Sequence, residues 1–173
     1  KGTGFIGISF ENLTMIGIDT YSWYKLIHLY QDGWQNLITR ILSTGNLFIT
    51  HEVKKELVFR FSENSHLFDM VTLLPAIQFD YRLYEKLGFD QADASLLEYS
   101  KREGHIIITE DQLMIAEATS LKENIIQLVN YFGRLFRSGS ISSKELYHIV
   151  RRLREMRNIT EKKEKYMLNL RSA

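Results

Sequence analysis

Four acidic side chains, spread over most of the chain, each stand where an apolar segment ends or a helix begins. Asp19 closes Met15-Ile-Gly-Ile-Asp-Thr20, and Glu56 lies in Ile49-Thr-His-Glu-Val-Lys-Lys-Glu-Leu57. Asp93 lies in Asp90-Gln-Ala-Asp-Ala-Ser-Leu-Leu97, and Asp111 ends His105-Ile-Ile-Ile-Thr-Glu-Asp111. In an open α/β sheet the carboxyl ends of the strands lie along one edge, where ligands bind. Carboxylates gathered there repel one another: two of them ~4 Å apart cost roughly 4 kcal/mol at an effective dielectric of about 20. A cation that neutralises them lets a fold keep such a cluster. Hard divalent ions prefer oxygen ligands, so the pattern points to Mg²⁺ or Mn²⁺.

Taken singly, each acid has a plainer structural explanation. Asp19 and Asp111 could cap helices. Glu56 could pair with Arg60 four residues on. Asp93 could be a first-turn acid favoured by the helix dipole. The case for a site rests on the four together.

The surrounding pattern supplies elements to hold them. Met15–Ile18 reads as a strand, followed by a helix through Leu26, Ile27 and Tyr30 and a second helical stretch holding Trp34, Leu37, Ile38, Ile41 and Leu42. Residues 46–50 form a short strand after Gly45, and Val53, Leu57, Val58 and Phe61 recur at helical spacing. Residues 67–74 fit helix or strand. Pro75 ends them, and residues 76–79 read as an edge strand. A short helix over 81–87 stops at Gly88. Asp90 caps a helix that runs to Gly104, and a buried strand over 105–109 precedes a helix through Ile115, Ala116 and Ala118. Residues 125–129 are the last strand. Ser142-Ser-Lys-Glu145 is a capping box opening a helix with Leu146, Ile149, Val150 and Leu153 on one face, and Thr160 caps a final helix. Strands alternating with helices predict one α/β domain with a mostly parallel sheet between helical layers and the acids at its C-terminal edge.

Composition narrows the function. The chain has 173 residues, one proline and no cysteine, so a thiolate nucleophile, a disulfide frame and a cysteine zinc site are excluded. Lack of cysteine fits a reducing compartment, and the expected location is cytoplasmic. No apolar run nears the ~20 residues that span a bilayer. Lys1–Thr14 is expected to be a cloning remnant or an N-terminal extension, with Met15 the natural start; its interrupting glycines argue against a secretory signal. The five histidines show no paired ligand spacing. The net charge is only +1, yet after Gly133 arginines and lysines far outnumber Glu145, Glu155, Glu161 and Glu164. An acidic body beside a basic tail suits a polyanionic substrate, although two solvated helices explain the charge as well. Arg151, Arg152, Arg154 and Arg157 share one helix whose Val150 and Leu153 face the body, and Arg151 and Arg154 are the expected backbone contacts.

The order and setting of these acids resemble the PIN-domain nucleases, which include the VapC-type toxins. In that family the first strand ends in Asp-Thr or Asp-Ser, as in Ile18-Asp19-Thr20; a glutamate follows on a helix after a strand ending in Ser or Thr; and a third acid opens a helix leading through Gly to an apolar strand and Thr-x-Asp, as from Asp93 through Gly104 to Thr109-Glu-Asp111. That last segment is the most specific part of the match, which covers residues 15–129. The bulky Tyr21-Ser-Trp23 departs from the family's small or aliphatic residues, and a buried Trp23 is expected over one that stacks on a base. Residues 131–173 loosely resemble the helical extension of one PIN subfamily, with its Gly-x-Ile at Gly139–Ile141.

The resemblance implies a catalytic domain over 15–130 and a basic helical extension over 131–173. It implies metal-dependent hydrolysis of RNA phosphodiesters with Mg²⁺ or Mn²⁺, in some members as the toxin of a toxin–antitoxin pair. It assigns Asp19, Asp93 and Asp111 to the metal. Glu56 is a ligand through water or orients the attacking water, with Glu52 its rival. Thr20 and Thr109 are hydroxyls beside the cluster, and Asp90 is a cap or reaches the metal through water. RNA is the expected partner; an antitoxin protein and a second copy of the chain remain open. Two other readings compete. One is a catalytically weak RNA- or protein-binding module on the same fold. The other is a phosphotransfer fold with Asp19 as phosphoacceptor, for which the second Asp and the isolated Lys are missing.

Overall fold

The computed structural model describes residues 14–121 and 124–170. The expected N-terminal extension therefore lies, but for Thr14, outside the described residues. The chain runs β1 (Ile16–Ile18), α1 (Thr20–Leu29), a kink at Tyr30–Trp34 around Gly33, α2 (Gln35–Leu42), β2 (Leu47–Ile49), α3 (His51–Arg60), a 3₁₀ turn at Ser62–Asn64, α4 (Ser65–Phe68) and β3 (Thr72–Leu73). It continues α5 (Tyr81–Glu85), α6 (Gln91–Glu103), β4 (Ile106–Ile108), α7 (Gln112–Leu121), β5 (Ile125–Ile126), α8 (Leu128–Arg137), α9 (Ser143–Glu155) and α10 (Glu161–Asn169). The fold is α/β, with a five-stranded, all-parallel sheet in the order β3-β2-β1-β4-β5 flanked by helices. Among the described residues no helix is long and apolar enough to cross a membrane.

Two strand expectations are corrected. Residues 76–79 form no strand; Thr72–Leu73 takes the edge instead, paired with Phe48 and Ile49. β5 stops at Ile126 rather than running to 129, because the Glu110 carboxylate accepts the Leu128 N–H at 2.9 Å and α8 begins there. The division at 130/131 consequently runs through α8, whose Val129 and Phe132 join the same core as α9's Leu146, Ile149, Val150 and Leu153. Trp23 is fully buried, edge-on to Phe68.

The sheet positions the site through register. Ile18 of β1 lies level with Ile108 of β4, and the Asp19 N–H continues the ladder to the Ile108 carbonyl at 3.0 Å. Asp19 and Thr109, next along each strand, emerge side by side. β1 has β2 on one side and β4 on the other, so the chain's path across the sheet reverses there, and the crevice at such a switch point is where open α/β sheets bind ligands. Gly17 holds β1 tight to its neighbours. A Cβ on it would stand 2.5 Å from the Phe48 ring and 3.0 Å from Leu96 of α6.

Candidate functional site

Asp19, Thr20, Glu56, Asp90, Asp93 and Asp111 line one open pocket at the C-terminal edge of β1 and β4. They come from the start of α1, from α3, from the start of α6 and from the turn after β4. Tyr21, Tyr24, Arg60 and Phe61 complete the wall.

Asp19 is the N-cap of α1. Its Oδ1 accepts the Ser22 N–H at 2.6 Å, and its Oδ2 accepts the Thr109 hydroxyl. The residue is only 2% exposed, and burial pushes its carboxyl above the ordinary range despite those hydrogen bonds. The Thr109 hydroxyl also receives the Asp111 N–H at 3.0 Å, tying the third strand-end acid to the first. Asp111 Oδ1 in turn accepts the Met114 N–H at 2.9 Å and caps α7. Glu56 accepts the Thr20 hydroxyl at 2.8 Å and pairs with Arg60 at 3.1 Å, so the pairing read from the sequence exists inside the pocket wall. Asp90 caps α6 through the Asp93 N–H at 2.9 Å.

Asp93 differs from the others. Its carboxylate has no hydrogen-bond or ion-pair partner among the described residues. It is half-buried and pushed up to about 7, first by burial and then by the charges of Asp90, Asp19, Asp111 and Glu56. A carboxyl held so far above its ordinary range in a cleft marks a candidate functional group. Among the described residues no three His, Asp or Glu side chains stand close enough to hold a metal ion as placed. The donor set is nevertheless one that suits a hard cation: oxygens only, one carboxylate unpartnered, and mutual repulsion that a cation removes. Closing on an ion takes side-chain rotation, for which Asp93 is free and the bonded Asp19 is not.

Glu52 borders a separate cleft with Phe79 and Tyr81, which leaves Glu56 as the α3 acid of this pocket. Arg151 and Arg154 lie elsewhere too, in a groove between α9 and α10, where both guanidiniums meet the buried Glu164 carboxylate at 3.0 and 3.8 Å. Arg60 and Tyr24 in the acidic pocket, and Glu110 in the cleft next to it, were not expected as site residues. Glu110 is half-buried beside it and pushed up to about 7, mainly by burial, while Leu128 N–H and Gln127 Nε2 donate to it. Only its place inside Thr-x-Asp hinted at this position.

No protein-family model, curated protein or solved structure matches this chain.

Proposed function

We propose that the chain is a divalent-metal-dependent ribonuclease of the PIN-domain type. The observation that carries the reading is the convergence of acids from four separated segments on one pocket, with the unpartnered Asp93 raised first by burial and then by its acidic neighbours. The strand-end placement of Asp19, Thr109 and Asp111 at the sheet's switch point supports it.

Asp19, Asp93 and Asp111 would hold the cation. When bound, Mg²⁺ or Mn²⁺ supplies a water of lowered pKa and positive charge for the leaving oxygen. The residues do the rest. Thr109 and the Ser22 N–H fix the Asp19 carboxylate. Asp111 is fixed by its capping of α7. Glu56, steadied by Thr20 and Arg60, is placed to orient the attacking water and accept its proton.

A second reading, a binding module of the same fold without catalysis, is favoured by the capping duties of Asp19 and Asp111, which are sufficient on their own to retain both acids. Metal affinity separates the two. A cation that binds only the folded chain stabilises it by about 2.7 kcal/mol at a hundredfold excess over Kd. Melting temperature should rise on addition of Mn²⁺ or Mg²⁺, and the rise should vanish in Asp19→Asn/Asp111→Asn. An unchanged wild-type melting temperature at saturating metal rejects the nuclease reading.

A further inference from the structure

The described arginines fall into two groups. Arg40, Arg60, Arg82, Arg102, Arg151, Arg152 and Arg154 each engage a carboxylate. Arg134, Arg137 and Arg157 engage none among the described residues. These three are not scattered. Arg157 lines a cleft with Lys163 and Tyr21, and Arg134 and Arg137 line a second cleft with Lys163 and Tyr166. Tyr21 belongs to the first of these clefts and also to the acidic pocket, and Lys163 belongs to both basic clefts. The acidic pocket therefore adjoins the first basic cleft at Tyr21, and that cleft adjoins the second at Lys163, so cations without an ion pair among the described residues extend from it across α10 onto α8.

Local structure builds the strip. Arg134 and Arg137 are three residues apart on α8 and share a face. Gly133 stands close to the end of the Met167 side chain of α10, and it lines the second cleft with them. Arg157 follows α9 with φ of 55°, the left-handed region that favours glycine. It closes the helix: its N–H donates to the Arg154 carbonyl at 3.0 Å and the Asn158 N–H to the Leu153 carbonyl at 2.9 Å, the pairing of a Schellman ending. Glycine fits that position without strain. An arginine there puts a cation at the cleft against the local backbone preference. The carboxylate in this cleft, Glu110, accepts its hydrogen bonds from Leu128 N–H and Gln127 Nε2 and feels Lys163 only through space.

Two aromatic faces accompany the charges. Tyr21 and Tyr166 are each 53% exposed, and Lys163 Nζ lies 5.4 Å from the Tyr166 ring centre. Unpaired cations that follow a backbone, interleaved with exposed rings on which bases stack, are the two components of single-strand recognition.

We propose that Arg157, Lys163, Arg134 and Arg137, with Tyr21 and Tyr166, form the track that seats single-stranded RNA leading out of the acidic pocket. The proposal rests on the nuclease reading for what happens at the pocket end. It takes the place of Arg151 and Arg154 as the expected backbone contacts, since those two share the Glu164 carboxylate in a separate groove.

The test measures binding apart from cleavage. A fluorescein-labelled, unstructured RNA oligonucleotide is titrated by anisotropy across a salt series, without divalent metal, in an Asp93→Asn background. Each phosphate contact on a single strand contributes about 0.7 to the slope of log K against log salt. Arg134→Gln/Arg137→Gln/Arg157→Gly should weaken binding at least tenfold at low salt and flatten the slope by about 2. Arg134→Lys/Arg137→Lys, which keeps the charges, should retain the slope. Tyr166→Ala should weaken binding with the slope unchanged. Arg151→Gln/Arg154→Gln should change neither quantity. A triple variant that is folded and has the parental slope overturns the proposal, as does a slope lost only in Arg151→Gln/Arg154→Gln. Failure of the wild type to cleave RNA, with the slope result intact, would remove the nuclease and leave the track.

Discussion

Replacing Asp93 by Asn keeps the side chain's shape and removes one charge from the acidic pocket. In the metal-free protein that charge is a burden. Asp93 ordinarily ionises at 3.8 and is pushed up to about 7 in the folded chain. A raised carboxyl binds its proton more tightly when folded, so stability falls as pH rises from the unfolded value to the folded one. Full ionisation across that gap, at about 1.36 kcal/mol per pH unit, costs at most about 4 kcal/mol. The side chain is partly open to water, and screening reduces the figure to about 2 kcal/mol. Asp93→Asn should therefore stabilise the metal-free protein by about 2 kcal/mol at about pH 8, a rise in melting temperature of about 4–8 °C for a domain of this size. Below about pH 4, where the wild-type carboxyl is protonated in both states, the advantage should vanish. With saturating Mn²⁺ the order should reverse, because only the wild type gains the cation's binding free energy. The assay is thermal denaturation of both proteins over a pH series, with EDTA and with Mn²⁺. An Asn variant that melts at or below wild type in EDTA at about pH 8 would refute the argument that Asp93 is held charged against burial and its neighbours' repulsion.

Other expectations follow from the same geometry. Thr109→Val removes the hydroxyl that donates to the buried Asp19 and accepts the Asp111 N–H; denaturant unfolding should show a loss of about 1–3 kcal/mol, larger at high pH, where Asp19 is charged. Gly17→Ala drives a methyl into Phe48 and should cost about 1–3 kcal/mol in the same experiment. Glu110→Gln keeps an acceptor for the Leu128 N–H and removes an acid pushed up from 4.5 to about 7, so it should stabilise the protein above pH 7 and make no difference below about pH 4.5, read by melting temperature. Arg157→Gly relieves a left-handed arginine and should raise stability by about 1 kcal/mol, whatever it does to RNA binding.

Features set by short-range bonds were legible from the chain. Asp90 caps α6 three residues away, Ser142 and Glu145 form the capping box, Thr160 caps α10 through the Lys163 N–H at 3.2 Å, and Gly104 ends α6 in the left-handed region. Three of the acids stood out for a related reason: Asp19 and Asp111 follow strands and Asp93 lies in the first turn of α6, positions that parallel strands bring to one edge, whereas Glu56 lies in the second turn of α3. What failed depends on distant partners. The start of α8 at Leu128 is set by Glu110, eighteen residues earlier. The edge strand is set by what pairs with Phe48 and Ile49, which the apolar pattern of residues 67–79 does not reveal. Composition marked the tail as basic without saying which cations are spent. Arg151 and Arg154 share the one Glu164 carboxylate, whereas Arg134, Arg137 and Arg157 have no carboxylate partner among the described residues, a distinction that only the packing of α8, α9 and α10 makes.

Cleavage itself tests the central claim. Wild type, Asp19→Asn, Asp93→Asn and Asp111→Asn, each shown folded by circular dichroism and purified in parallel, are incubated with end-labelled single-stranded RNA in Mn²⁺ or in EDTA. The wild type should cut the RNA with Mn²⁺ and stop with EDTA, and each variant should cut at least about a hundredfold more slowly. A wild type that leaves the RNA intact with metal present, or variants that cut as fast as it does, would contradict the account.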